Sequence, residues 1–98
     1  MTNKQFILSQ IKQLKGELRK LGVVKIGLFG SYARGEQSEN SDIDILIEFE
    51  PDQENFDNYM SVYDKIEKRF TNEKIEIVTT NGLSPYIGPK ILKEVTYA

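Results

Sequence analysis

Residues 42–49, Asp-Ile-Asp-Ile-Leu-Ile-Glu-Phe, alternate polar and apolar along most of their length. That period of two is the signature of a strand with one face buried. It sends Ile43, Ile45, Ile47 and Phe49 to one side and Asp42 and Asp44 to the other. Few other arrangements satisfy such a segment. A helix would scatter the four apolar residues around its circumference, and a loop would leave them in water. The acidic pair adds a second constraint, because two carboxylates on one face repel each other unless something positive sits between them. Hard oxygen ligands favour Mg²⁺ or Mn²⁺ in that role.

The preceding residues lead into this strand. Residues 23–29 form a short apolar run that reads as a strand, and Gly30-Ser31 interrupts it. Tyr32-Ala33-Arg34 suits a helical turn that starts at Ser31. Residues 36–41 are polar and have nothing to bury, so an exposed loop is expected there. Glycine allows close approach to the backbone, and the amide groups and Ser31 hydroxyl beyond it are suited to phosphate oxygens. A Gly-Ser pair can equally be an ordinary turn, and Asp42 after Asn40-Ser41 can simply open one. No Gly-Lys-Ser/Thr follows at the spacing of a Walker loop.

Elsewhere the pattern is simpler. Phe6, Ile7, Ile11, Leu14, Leu18 and Leu21 follow a helical period across residues 3–21, with Gly22 as the stop. Residues 55–70 carry a second apolar stripe through Phe56, Tyr59, Met60, Tyr63, Ile66 and Phe70. An aromatic stripe could stack on bases, but at this spacing it suits a core. Residues 73–79 alternate again, Ile75 and Ile77 against Lys74, Glu76 and Val78, which reads as a third strand. Asn81-Gly82 marks a turn. Pro85 and Pro89 bracket a region expected to resist regular helix, and residues 91–97 read as a short helical or extended tail on the core. The expected fold is α/β, a sheet of about three strands covered by helices, in one domain spanning residues 1–98.

Composition removes several kinds of chemistry. The 98 residues include no cysteine and no histidine, which excludes thiolate catalysis, a Ser-His-Asp triad and the usual zinc sites. Thirteen basic residues against fifteen acidic ones leave a net charge of −2, so long nucleic acid is not an expected partner. No apolar run approaches the roughly 18 residues of a membrane span, and residues 1–10 lack a signal-peptide core. A cytoplasmic protein is expected.

Taken together, Gly30-Ser31, ten intervening residues and Asp42-Ile43-Asp44 fit the Gly-Ser-x10-Asp-x-Asp signature of polymerase-β-type nucleotidyltransferases. The wider text Phe-Gly-Ser-Tyr-Ala-Arg-Gly-Glu…Ser-Asp-Ile-Asp-Ile-Leu-Ile resembles the minimal nucleotidyltransferases, antitoxins of HEPN toxin–antitoxin pairs. The likeness runs from about Val23 to the C-terminus, with Lys74-Ile-Glu-Ile-Val-Thr and the Pro85…Ile91-Leu-Lys-Glu94 tail in the expected places.

The resemblance implies a small mixed sheet of the polymerase-β type. It assigns Gly30 and Ser31 to the terminal phosphates of a nucleotide, ATP by family preference. Asp42, Asp44 and Glu76 become catalytic ligands of two Mg²⁺ ions, with Mn²⁺ as a substitute. Glu76 stands where aspartate is commoner, and it doubles as candidate general base. An exposed strand glutamate paired with Lys74 or another cation is the plainer reading of that residue. Arg34 matches the family Arg-Gly and would bind triphosphate, or it could pair with Glu36 or Glu39. The implied acceptor is a hydroxyl, a tyrosine of a HEPN-domain toxin bound as a hetero-oligomer. Two alternatives stay open: a binding module that silences its partner by occlusion, and a transferase for small molecules such as aminoglycosides.

Overall fold

The computed structural model describes residues 2–98. Helix α1 spans Lys4–Lys20. Asn3 caps it by accepting the Phe6 N–H at 2.8 Å, which satisfies one of the free donors of the first turn. Ile7, Ile11, Leu14 and Leu18 form its buried stripe. Gly22, at φ 94°, then turns the chain into β1, Val23–Phe29. A five-residue helix, α2 (Gly30–Arg34), separates β1 from β2 (Ile43–Phe49). Helix α3 (Phe56–Arg69) is capped by Asn55, whose side chain accepts the Asn58 N–H at 2.8 Å. Strand β3 (Ile75–Thr79), a 3-10 turn over Thr80–Gly82, α4 (Gly88–Glu94) and β4 (Thr96–Tyr97) complete the described chain.

The sheet order is β3-β2-β1-β4. Strand β1 is antiparallel to β2 and β4, whereas β2 and β3 run parallel. A parallel pair needs a crossover connection, and α3 provides it. One sheet face carries Ile26, Leu28, Ile43, Ile45, Ile47, Phe49 and Ile77, packed with Ile7, Ile11, Leu14 and Leu18 of α1 and Val62 and Ile66 of α3. The opposite face has a smaller apolar cluster, Phe29, Leu46 and Ile91, with Val78, Leu83 and Val95 against it. Helix α4 supplies Ile91 and covers that part of the face.

Three expectations need correction. The mixed α/β architecture is as expected, but the sheet has four strands, not about three. The fourth is a two-residue strand held by Gly27↔Tyr97 and Leu28↔Thr96 pairing, and no two-residue segment carries a readable period. On α3, Phe56 and Met60 are 76% and 44% exposed, while Val62, outside the expected stripe, is fully buried. The remaining stripe packs inward, and the Tyr59 hydroxyl donates to the Ile77 carbonyl at 3.0 Å. Finally, Pro89 lies in the first turn of α4 instead of resisting it. Its missing N–H is one that a first turn leaves unbonded anyway.

Candidate active site

The end of β1, the start of β2 and the start of β3 meet on the less covered face of the sheet. Phe29 pairs with Asp44, and Asp44 pairs with Glu76, so the three residues form one row across three strands. Side chains in register on neighbouring strands share a face, which brings the two carboxyls together. Gly30 follows Phe29 directly. Its φ of 77° lies in the left-handed region, and a Cβ there would run into the Asp44 carboxylate. Glycine is therefore required twice, by the backbone turn and by the acidic side chain against it. Tyr32, buried in the main core, fastens the short helix that follows.

Asp44 is held in an unfavourable state for a carboxylate. Burial pushes its carboxyl from the ordinary 3.8 up to about 6, the Glu76 carboxyl beside it adds to the rise, and the charge of Asp42 contributes further. Arg34 works in the opposite direction. A fold that keeps such an arrangement gains from any cation placed among these oxygens.

Arg34 has two acidic partners. Its Nε donates to Glu36 Oε1 at 2.7 Å and its guanidinium NH1 to Glu94 Oε2 at 2.9 Å. These pairs, Glu36 first, raise the Arg34 pKa further above its ordinary value. The other Glu94 oxygen, Oε1, accepts the Gly30 N–H at 3.2 Å. Glu94 thus reaches the turn from the far end of the chain. It stands three residues after Ile91, so the helix face that seats Ile91 on Phe29 and Leu46 presents Glu94 to Gly30.

The structure brings Gly30, Arg34, Asp44 and Glu76 to one end of the sheet, with Ser31 next in the chain to Gly30. Asp42 is placed differently from its expected role as the first residue of the strand. The ladder starts at Ile43, whose N–H donates to the Lys74 carbonyl at 2.8 Å, and Asp42 lies exposed just before it. Among the described residues no three His, Cys, Asp or Glu side chains stand as a ready-made metal-ligand group. Asp44 and Glu76 are the assembled part, and Asp42 acts on them through its charge. The donor set still suits a hard divalent cation: it is all oxygen, and it contains a carboxylate whose ionised form Arg34 compensates only in part. Glu94 is the site residue that single motifs did not reveal. Its only signal was the likeness of the tail around Ile91-Leu-Lys-Glu94 to the family.

Comparison with known proteins gives this geometry a context. The nucleotidyltransferase domain family matches residues 11–98. The protein adenylyltransferase MntA of Thermococcus cleftensis is 37% identical over 84 residues, covering 85% of this chain and 83% of its own. A Methanocaldococcus jannaschii protein, provisionally described as a protein adenylyltransferase, is 37% identical over 97 residues, covering 92% and 96%. A solved structure provisionally described as a minimal nucleotidyltransferase superimposes with a TM-score of 0.82 at 25% identity, covering 97% of this chain and 95% of that one. The fold is also that of an MNT antitoxin solved with a tri-AMPylated Shewanella oneidensis HEPN toxin, at a TM-score of 0.64 and 20% identity, with 96% of this chain and 70% of that one covered. A strand-end Gly-Ser, an Asp-x-Asp after ten intervening residues at the start of the next strand and a third carboxylate on the strand paired with it are thus found in a chain that belongs to the nucleotidyltransferase domain family.

Proposed function

We propose that the chain, acting as one nucleotidyltransferase domain over residues 1–98, transfers AMP from ATP to a hydroxyl group of a protein partner. A tyrosine of a HEPN-domain toxin is the proposed acceptor, and silencing that toxin is the proposed role. The observation that carries the reading is the row of Asp44 and Glu76 on paired strands beside a glycine turn that leaves no room for a Cβ. The relatives of 37% identity described as protein adenylyltransferases support the protein acceptor.

Each residue has a physical task in this reading. Backbone N–H groups at Gly30 and Ser31 and the Ser31 hydroxyl bind the terminal phosphates. Arg34 offsets their charge. Asp42, Asp44 and Glu76 would hold two Mg²⁺ ions, with Mn²⁺ as a substitute, and Asp42 would be drawn in from its exposed position. When bound, such ions stabilise the charge that gathers on the α-phosphate and on departing pyrophosphate. Glu76 takes the proton of the attacking hydroxyl. The new bond joins that oxygen to the α-phosphorus, and the bond to pyrophosphate breaks.

The test mixes the chain with its HEPN partner, ATP and Mg²⁺, and follows partner mass and pyrophosphate. The wild type should add AMP to the partner. Asp44→Asn, nearly isosteric, should abolish both signals while still binding the partner. An Asp44→Asn chain that silences the partner as well as wild type at equal concentration would establish occlusion instead. Pyrophosphate release with a small alcohol or aminoglycoside, and none with the partner, would move the assignment to a small-molecule transferase.

A further inference from the structure

We infer that Glu94 is a built-in competitor of the nucleotide: its carboxylate occupies the Gly30 N–H and the Arg34 guanidinium of the phosphate turn and must be displaced by the terminal phosphates. The inference rests on the reading of Gly30, Ser31 and Arg34 as the phosphate-binding turn. Glu94 Oε1 accepts the Gly30 N–H at 3.2 Å, and Oε2 pairs with the Arg34 guanidinium at 2.9 Å. One carboxylate therefore takes one of the backbone donors and the cationic side chain assigned to phosphate. A carboxylate and a phosphate present similar oxygens to such donors, and both cannot hold them at once. Bound side by side they would also repel.

The contact is well supported from behind. Glu94 is shielded, with its side chain 18% exposed, whereas Arg34 is 42% and Glu36 65% exposed. Ile91, buried against Phe29 and Leu46, anchors α4 one turn earlier. The following residues pair with β1 through Gly27 and Leu28. Displacement therefore needs only a rotation of the Glu94 side chain, with α4 remaining seated.

Two consequences separate this role from simple support of Arg34. Ligands that reach the turn carry the cost of displacing Glu94, whereas ligands that do not reach it carry none. After transfer, pyrophosphate is the group left on the turn, and the returning carboxylate competes for the same donors. Glu94 thus weakens both ATP entry and pyrophosphate retention, which favours turnover over tight product binding.

The experiment measures binding of Mg·ATP, Mg-pyrophosphate and AMP to the purified chain by calorimetry. Glu94→Gln should tighten ATP and pyrophosphate by about three- to tenfold, the scale of a partly exposed ion pair, and leave AMP unchanged. Glu94→Asp keeps the charge but withdraws it by one methylene, and should tighten ATP as well. Weaker or unchanged ATP binding in Glu94→Gln would overturn the inference and leave Glu94 a support for Arg34. Wild-type affinity in Glu94→Asp beside a tightened Glu94→Gln would reduce the effect to long-range charge and also overturn it. Ser31→Ala serves as the separate check on the turn. If it weakens ATP while Glu94→Gln does not tighten it, only the competitor role fails. If ATP affinity ignores Ser31→Ala, the phosphate-turn reading fails and takes the competitor role with it.

Discussion

The two faces of the sheet follow opposite rules. On one, Ile43, Ile45 and Ile47 are completely buried beneath α1 and α3. On the other, the same strand presents Asp44 beside Glu76, with a smaller apolar cluster whose buried members are Phe29, Leu46 and the α4 residue Ile91. A single strand with a two-residue period can serve both purposes because neighbouring side chains never share a side. Aliphatic packing on the first face offsets the electrostatic cost tolerated on the second. Stability and the proposed chemistry are thus separated by one step along the chain.

Substitutions can probe that separation directly. The largest stability loss is expected from Ile47→Ala, about 3 kcal/mol from lost burial and the cavity left behind, measured by urea unfolding. Asp44→Asn should move the other way in metal-free buffer. If both substitutions shifted stability in the same direction, the division between the faces would collapse.

Gly30→Ala should cost about 1–2 kcal/mol, since alanine is strained at a φ of 77° and its Cβ meets Asp44. In an Asp44→Ala background the loss should shrink, because only the backbone strain remains. An undiminished loss in the double variant would show that the acidic side chain and the turn are not packed together as described.

The smallest effect concerns pH. The folded state holds the Asp44 proton up to about 6, against 3.8 for the ordinary group, so folding binds protons across that window. The resulting penalty is present in full above the folded-state value and disappears as pH falls below 3.8. Between those limits this group should add about 1 kcal/mol to metal-free stability as the solution is acidified, after allowance for solvent screening. Asp44→Asn should remove this contribution, and saturating Mg²⁺ should suppress it. A pH profile identical in wild type and Asp44→Asn would break the claim that the second face is under electrostatic load.

Much of this division was legible in the chain itself. The alternation from Ile43 to Phe49 records burial on one side, and Gly30-Ser31 with Asp42 and Asp44 is the pattern on which the proposed phosphate and metal chemistry rests. What was hidden depended on partners distant in sequence. A helical period cannot say how wide a neighbouring surface is, so Phe56 and Met60 share the period of residues that pack and yet stay exposed. Thr96 and Tyr97 become a strand only because the edge of β1 is available to them. Glu94 finds its role through α4, which carries it to a glycine 64 positions earlier. The ladder begins at Ile43, one residue later than the acidic pattern suggests, so Asp42 stands just outside the strand.

The border of the sheet has a consequence for how copies of the molecule behave when crowded. A bare strand edge invites another chain to dock onto its free N–H and C=O groups. Beside β1 that invitation is withdrawn piecemeal. Tyr97 and Thr96 cover Gly27 and Leu28, and the Ala98 N–H bonds the Ile26 carbonyl at 2.9 Å. Farther along, the register of β1 against β2 shifts between Val23 and Lys25, a bulge that bends β1 itself, and the exposed Lys25 ammonium lies 5.7 Å from the centre of the Tyr97 ring. An incoming strand would meet a bulge and a positive charge where it needs a straight ladder. Two residues of β4 thus act as a molecular selvedge, finishing the edge of the weave against fraying into intermolecular sheets.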